Sequence, residues 1–436
     1  MMQSVTSWCR VVKAEQRVHE PAFADELPAL LSADLSSIAY GLGRSYGDAC
    51  LNDGGSLIRM HRLDRVLSAD WEHGVVRAEA GISLDSLLRL CVPKGWFLPV
   101  TPGTKFVTLG GTVANDVHGK NHETAGTFGC HVRRLGLLRS SHEVIELAPD
   151  HDNALFAATV GGLGLTGLIL WVELKLAPIR SSFFVTETKR MRNLDDFFEL
   201  ARDSGDWPYT VAWVDCLADG AQLGSGLFTR GRHADDGELT PHRARGMARL
   251  PADAPAGLLS SPMLRAFNLV YANRPNVERL RHLHYDSFLY PLDGIHDWNR
   301  LYGRAGFFQH QSVVPLKEAR PTVQKLLELT ATHRQGSFLV VLKLFGDRPS
   351  PGLLSFPIEG PTFALDLPNR GKATRDLLER MENVVLKAGG RLYPAKDATM
   401  SAAAFRAGFP LWREVEASRD PALMSDFWRR VTREAA

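Results

Sequence analysis

From Ile38 to about Pro178 the chain alternates short apolar runs with glycine clusters, the texture of strands and helices joined by tight loops. GVVRAEAG (Gly74–Gly81) carries the apolar and small residues of a strand. Beyond it Leu84, Leu87, Leu88 and Cys91 recur at helical spacing, with Ser83 placed to cap the start and Gly95 to end the helix. The run Asn153–Val172 has no charged residue and is long enough to cross a bilayer. Gly161, Gly162, Gly164 and Gly167 break its second half, so it reads as a short helix, a glycine turn and a buried strand in a soluble chain.

After Pro178 the glycine clusters thin out and aromatic residues increase. The polar stretch Gly231–Pro255 reads as a mobile loop or insertion. From Phe307 to Leu367 the apolar runs FFQHQSVVP, SFLVVLKLFG and TFALDLP flank a helical segment around Thr322–Thr332, which predicts a second domain with an antiparallel sheet. From Arg391 the tail returns to mixed polar and helical sequence.

A length of 436 residues suits two or three domains. The 51 Lys and Arg against 49 Asp and Glu leave a formal charge of +2, and no basic stripe speaks for a nucleic-acid partner. Five cysteines, Cys9, Cys50, Cys91, Cys130 and Cys216, lie far apart with no CxxC pair. That excludes a disulfide scaffold and a zinc ribbon and suggests a reducing, cytoplasmic compartment. The first ten residues lack the apolar core of a signal peptide.

Three glycine loops carry the candidate chemistry. Gly41-Leu-Gly43-Arg44-Ser45-Tyr46-Gly47-Asp48 follows the strand-like Ile38–Tyr40. Its spacing is GxGxxxG and no amphipathic helix follows, so it fails as a dinucleotide fingerprint, leaving a phosphate cradle or a plain turn. The second runs from Pro102 through Gly103 and Thr108 to Gly110-Gly111 and on as TVANDVHGK. So little side-chain bulk suits a large flat ligand against the main chain, or tight helix packing. In the third, Gly162, Gly164 and Gly167 match GxGxxG, but with helix before and strand after. The dinucleotide motif needs the opposite order, so the match is rejected. Three such loops in one region favour one extended phosphate-bearing cofactor.

GLGRSYGD, PGT…TLGGTVANDVHGKNH and ATVGGLGLTG, with AWVDC, YPLD, WNRLYG, FFQHQ, KLFG, LSFPI and the tail motif GGRLYPAKD, resemble the vanillyl-alcohol-oxidase/p-cresol-methylhydroxylase (VAO/PCMH) flavoprotein superfamily. Within it the chain most resembles the branch that oxidises polyprenyl-phosphate-linked ribose, and the likeness covers nearly the whole sequence. The resemblance implies a two-domain α+β fold of PCMH type: an FAD-binding domain over 1–180, a substrate domain over 181–390, and a segment, 391–436, returning to the first. It places FAD against Gly41–Gly47, Gly103, Thr108 and Gly110–Gly111, with Asn115, Val117, His118, Asn121, Ile169 and Tyr393 along the cofactor. The implied reaction oxidises the 2′-hydroxyl of a polyprenyl-phosphate ribofuranose to a ketone. A separate short-chain NAD(P)H reductase then completes epimerisation to the arabinose form, an arabinan precursor for the cell wall. The reduced flavin would pass its electrons to a quinone or O2, and a peripheral contact with the inner membrane suits such a substrate.

Alcohol oxidation at a flavin needs a group to take or polarise the hydroxyl proton and a positive charge near the reduced ring. Lys396, in the YPAKD motif, sits where the family keeps an active-site lysine. Lys343, in VVLKLF, shares a strand face with Leu339, Val341 and Phe345, so its charge needs a partner such as a substrate phosphate or a flavin oxygen. Gln311 is placed to hydrogen-bond substrate, and His118 lies where the family has a histidine beside the isoalloxazine ring. Covalently flavinylated relatives carry a histidine in the first glycine loop, where this chain has Arg44. Arginine cannot form that bond, so noncovalent FAD is expected.

The chain also departs from the family. Actinobacterial members carry Cys-Val-Asp in a strand facing the flavin, with asparagine two residues before the cysteine. Here the cysteine is replaced by Ala364, followed by Leu365-Asp366, and the asparagine by Thr362. A soluble alditol or aldonolactone oxidase on the same scaffold is the first alternative. A silent flavoprotein that scaffolds a reductase is the second, disfavoured by retention of Lys343 and Lys396.

Overall fold

The computed structural model describes residues 2–31, 35–151, 153–243, 248–255, 259–275 and 277–433. Near the N-terminus, Met2–Thr6 and Lys13–His19 form an antiparallel pair. Lys13–His19, Ser56–Arg59 and Ser37–Tyr40 then run parallel, completing a four-stranded sheet. A second sheet of five antiparallel strands is ordered Val66–Asp70, Val75–Glu79, Leu168–Lys175, Val132–Leu138, Val144–Leu147. Strand alternation turns Val76, Ala78, Leu135, Leu137, Val172 and Leu174 into one core. The helix Leu84–Cys91 covers that core with Leu84, Leu87, Leu88 and Cys91. Ser83 caps it by accepting from Ser86 N–H, and Gly95, with φ 80°, closes the chain after the following turn. The charge-free run divides into the helix Asn153–Thr159, a turn with positive φ at Gly161, Leu163 and Gly164, and the strand Leu168–Lys175. Among the described residues no helix is long and apolar enough to cross a membrane.

An eight-stranded antiparallel sheet occupies the rest of the chain. Its order is Leu280–His284, Phe183–Met191, Gly226–His233, Tyr209–Val214, Val340–Phe345, Gly360–Pro368, Phe307–Val313, Arg391–Leu392. Helices Ala319–His333 and Lys372–Lys387 lay Leu326, Leu327, Leu377 and Met381 against Leu342, Phe363 and Leu365 on one face. Each such fully buried side chain stabilises the fold by roughly 1.5–3 kcal/mol. The opposite face of the central strands looks toward the first two sheets. The last residues run back across the molecule: Ser37 pairs with Leu423, and Arg430 makes an ion pair with Asp48.

The stretch Gly231–Pro255 corrects the expectation of a free loop where it is described. Gly231–His233 completes a strand, the buried His242 bonds to Tyr285 and Asp85, and Asp253 pairs with Arg10 and Arg300. His242 and Asp253 are polar because each has a partner to hold. The remainder, 244–247, lies outside the described residues.

Candidate active site

A cavity of about 640 Å³ lies between the glycine loops and the open face of the eight-stranded sheet. The first loop enters it from the strand Ser37–Tyr40, with Gly41, Gly43, Arg44, Ser45 and Tyr46 in the wall. Gly43 takes φ 64°, and any side chain there would collide with the Tyr40 hydroxyl. The second loop lines it with Gly103, Thr108, Gly110, Gly111, Asn115, Val117 and His118, and the third contributes Gly164, Gly167 and then Ile169. A Cβ on Gly110 would fall 2.8 Å from that of Ala80, so this wall is backbone because no side chain fits behind it. Thr108 caps the short helix Leu109–Ala114 by accepting from Gly111 N–H. Tyr393 closes the same wall from the tail, its hydroxyl donating to Asn115 C=O at 3.0 Å.

Two sequence candidates, Gly47 and Asn121, stand beside the residues that line the cavity. Gly47 is glycine because a Cβ would overlap the carbonyl oxygen of Asp397. Asn121 donates to Pro99 C=O at 2.8 Å, bracing the loop rather than lining the cavity.

The sheet and tail line the cavity with Lys343, Lys396 and Gln311, and Gln311 meets His118 of the second loop. Lys343 stands on the central strand Val340–Phe345 and donates to Gly119 C=O at 3.0 Å. Burial, with the charges of Lys120 and Lys396, pulls its ammonium down to about 7. Lys396 ends the turn Pro394–Lys396, which is held by Tyr393 N–H to Gln311 C=O and Tyr46 N–H to Ala395 C=O. Its Nζ lies 3.6 Å from the centre of the Tyr46 ring. Burial lowers its proton affinity and the field of Asp366 opposes that, while burial raises the carboxyl of Asp366 above its usual range. Gln311 Nε2 donates to His118 Nε2 at 3.0 Å, so the imidazole proton sits on Nδ1. Burial and the neighbouring lysines hold the His118 ring neutral.

Sequence reasoning missed several residues of this region. Asp366 is fully buried, accepting from Gln309 Nε2 and, at 3.3 Å, from Tyr302 OH. The alternation Thr362, Ala364, Asp366 carried the signal for it. Lys120, pulled down to about 8 by burial, donates to Leu289 C=O and follows directly on the His118-Gly119 pair. Arg274 and Arg281 line the cavity from a region with no motif to mark them, and Cys50 lines it beside the first loop.

The walls fit a flavin nucleotide. Arg44 Nε and His118 Nδ1 are buried donors in the wall with no partner in the protein, which a polar ligand in the cavity would satisfy. No atom lies within 4 Å of a Cβ built on Gly103 or Gly164, so space remains beside the main chain there. A backbone wall with spare donors on one side and buried cations on the other belongs to an FAD-dependent oxidoreductase acting on a CH–OH group, in the two-domain α+β fold of the VAO/PCMH type. Residues 19–148 match the model of an FAD binding domain. The chain is 36% identical over 410 residues, 90% of its length and 88% of the relative's, to decaprenylphosphoryl-beta-D-ribose oxidase of Mycolicibacterium smegmatis, and it belongs to that family. It is also 35% identical to an uncharacterized protein of Streptomyces coelicolor, over 80% of this chain and all of the relative. Likeness to L-gulonolactone oxidase of Mus musculus, 32% identical, covers 36% of each chain.

Proposed function

We propose that the chain oxidises the 2′-hydroxyl of a polyprenyl-phosphate-linked ribofuranose to the 2′-ketone, the first half of epimerisation to the arabinose form. One observation carries the reading: the glycine-walled cavity is also lined by Lys343, Lys396 and Gln311 and by two arginines, Arg274 and Arg281. Near-full-length likeness to an oxidase of a lipid-linked ribose supports the substrate class.

Gly41, Gly43–Tyr46, Gly103, Thr108, Gly110–Gly111, Asn115, Val117, His118, Ile169 and Tyr393 would hold FAD, without a covalent bond because Arg44 occupies the tethering position. Bound FAD supplies the acceptor for two electrons and the carbon-bound hydrogen. Lys396, its ammonium destabilised by burial, takes or shares the hydroxyl proton; the Tyr46 ring fixes where its nitrogen stands, and the charge of Asp366 favours its protonated form. Lys343, close enough for the charge of Lys396 to act on it, supplies positive charge to the same cavity. Gln311 orients His118 and offers its amide oxygen to the substrate. Arg274 and Arg281 pair with the phosphate, and the lipid leaves on their side.

The domains implied by this arrangement are 1–180 for the cofactor and 181–390 for the substrate, with 391–436 returning to the first. A short-chain NAD(P)H reductase consumes the ketone, and a quinone or O2 takes the electrons. The test is anaerobic bleaching of the bound flavin. A polyprenyl-phosphate ribose is expected to bleach it, while free ribose, alditols and aldonolactones do not. Bleaching by an aldonolactone in place of the lipid-linked sugar would overturn the reading in favour of a soluble sugar oxidase.

A further inference from the structure

The helix Ser261–Ala272 (SPMLRAFNLVYA) is amphipathic in reverse. Inward it buries Leu264 and Asn268, the latter donating to Asp215 Oδ1. Outward it holds Met263, Phe267, Leu269 and Val270 at 52%, 41%, 67% and 73% exposure, and Arg265 is the one charged residue in its sequence. A water-facing surface helix carries polar residues on that side. Contiguous apolar exposure of this kind marks an interaction site.

The patch adjoins the cavity. Arg190 donates to Ala272 C=O at 2.7 Å, fastening the helix's C-terminal end to the strand Phe183–Met191. Glu278 N–H then bonds to Thr188 C=O, and the chain continues into the edge strand Leu280–His284, where Leu280 is 67% exposed. Tyr271, packed on Trp213 with ring centres 4.8 Å apart, lines the cavity, as do Arg274 and Arg281. Arg281 is also exposed, so it stands on the rim where the cavity opens. Between Ser261 and His284 the sequence has four arginines, 265, 274, 279 and 281, against one acid, Glu278. Apolar side chains protruding among arginines are complementary to an anionic bilayer, whose headgroups take the guanidiniums while its acyl region takes the apolar groups.

We infer that Ser261–Ala272 and Leu280 form a docking face for an anionic lipid membrane, presenting the rim of the cavity to the bilayer. The face rests on the proposed substrate class only for what the membrane delivers, a lipid-linked phosphosugar whose tail stays in the bilayer.

The experiment co-sediments the flavin-loaded protein with phosphatidylglycerol–phosphatidylcholine vesicles and with pure phosphatidylcholine vesicles. Wild type is expected to partition onto the anionic vesicles and to weaken with salt. Leu269→Asp/Val270→Asp is expected to lose partitioning by on the order of tenfold or more, with its flavin spectrum intact. The same variant should keep bleaching by a short-chain soluble substrate and lose oxidation of a long-chain substrate embedded in vesicles. Arg265→Glu/Arg279→Glu, which leaves the apolar side chains in place, should lose the preference for anionic vesicles. Unchanged binding by both variants, or no binding by wild type, overturns the proposal. So does a wild-type dimer that the apolar double variant dissolves without any vesicle binding, which assigns the face to a second copy. Vesicle binding without bleaching by any lipid-linked pentose would overturn the substrate reading alone. Bleaching in detergent without vesicle binding would overturn the docking face alone.

Discussion

Gln311 Nε2 donates to His118 Nε2 across 3.0 Å, bridging the substrate-side sheet and the second glycine loop. The bond fixes the imidazole tautomer, and Phe345, Phe356 and Tyr393 pack round the ring to hold its plane. The Nδ1–H, buried without a protein partner, is thereby aimed rather than free to exchange roles. Gln311→Ala is expected to slow flavin reduction roughly tenfold, the size of one lost hydrogen bond, with FAD content unchanged. Stopped-flow bleaching of the variant checks it, and an unaltered rate would remove Gln311 from the reaction.

The Lys396 side chain meets the first glycine loop at the Tyr46 ring, a contact an apolar side chain of similar length can keep, so loss of its charge should separate chemistry from cofactor binding. Lys396→Met keeps most of the apolar volume against the Tyr46 ring. Reduction by substrate is expected to fall by roughly a hundredfold or more, while FAD stays bound and its absorption shifts only slightly. If reduction proceeds at the wild-type rate, Lys396 plays no part in moving the proton.

Some of this site was legible in the sequence because its causes are local. Glycines at 41, 43, 110 and 111 mark backbone that neighbours approach too closely for a side chain, and strand alternation alone put Lys343 on the face of Val341. The helix Leu84–Cys91 announced itself by spacing, cap and closing glycine. Other features depend on contacts between residues far apart in the chain. Gly47 is required by the carbonyl of Asp397, far along the chain, and looks in sequence like one more cofactor glycine. Asp366 meets Gln309 and Tyr302 only after the neighbouring strands pair. The polar stretch around His242 looks like a loop in sequence because its partners, Asp85 and Tyr285, lie far away along the chain.

Asp116 offers a test of how the second loop is held. Its carboxylate accepts from Gly129 N–H at 2.8 Å and from the Ser355 hydroxyl, tying the loop to the segment before the strand Gly360–Pro368. Burial pushes its pKa from 3.8 up to about 6. The folded state therefore holds the proton more tightly than the unfolded chain. The cost of ionisation is absent below the unfolded value, grows between 3.8 and about 6, and is constant above. Two pKa units correspond to roughly 3 kcal/mol. Asparagine tolerates the positive φ of 37° at this position and keeps an acceptor for Gly129. Asp116→Asn should thus gain stability relative to wild type as pH rises through about 4 to 6. Melting temperatures of both proteins across that range decide it; a constant difference would show that Asp116 titrates normally.

Ala364 lies between Val341 and Gln311 on the two neighbouring strands, and with Thr362 it lines the cavity. A cysteine here would put a thiol where a nitroso electrophile, formed when the reduced flavin reduces a nitroaromatic compound, could be trapped. Alanine has no thiolate, so no semimercaptal can form there. The protein's own thiols are poor substitutes. Cys9, Cys91 and Cys216 are buried with their ionisation suppressed, Cys130 lies outside the cavity, and Cys50, which does line it, is pushed up to about 12 by burial. Wild type is therefore expected to reduce such compounds without acquiring a stoichiometric adduct. Ala364→Cys adds one sulfur atom to a half-buried position that already faces the cavity, so the variant should fold, retain flavin and become labelled. Intact mass after turnover with the inhibitor reads the outcome directly. An adduct on wild type, or none on a folded and active Ala364→Cys variant, would show that the strand Gly360–Pro368 does not present this side chain to the flavin.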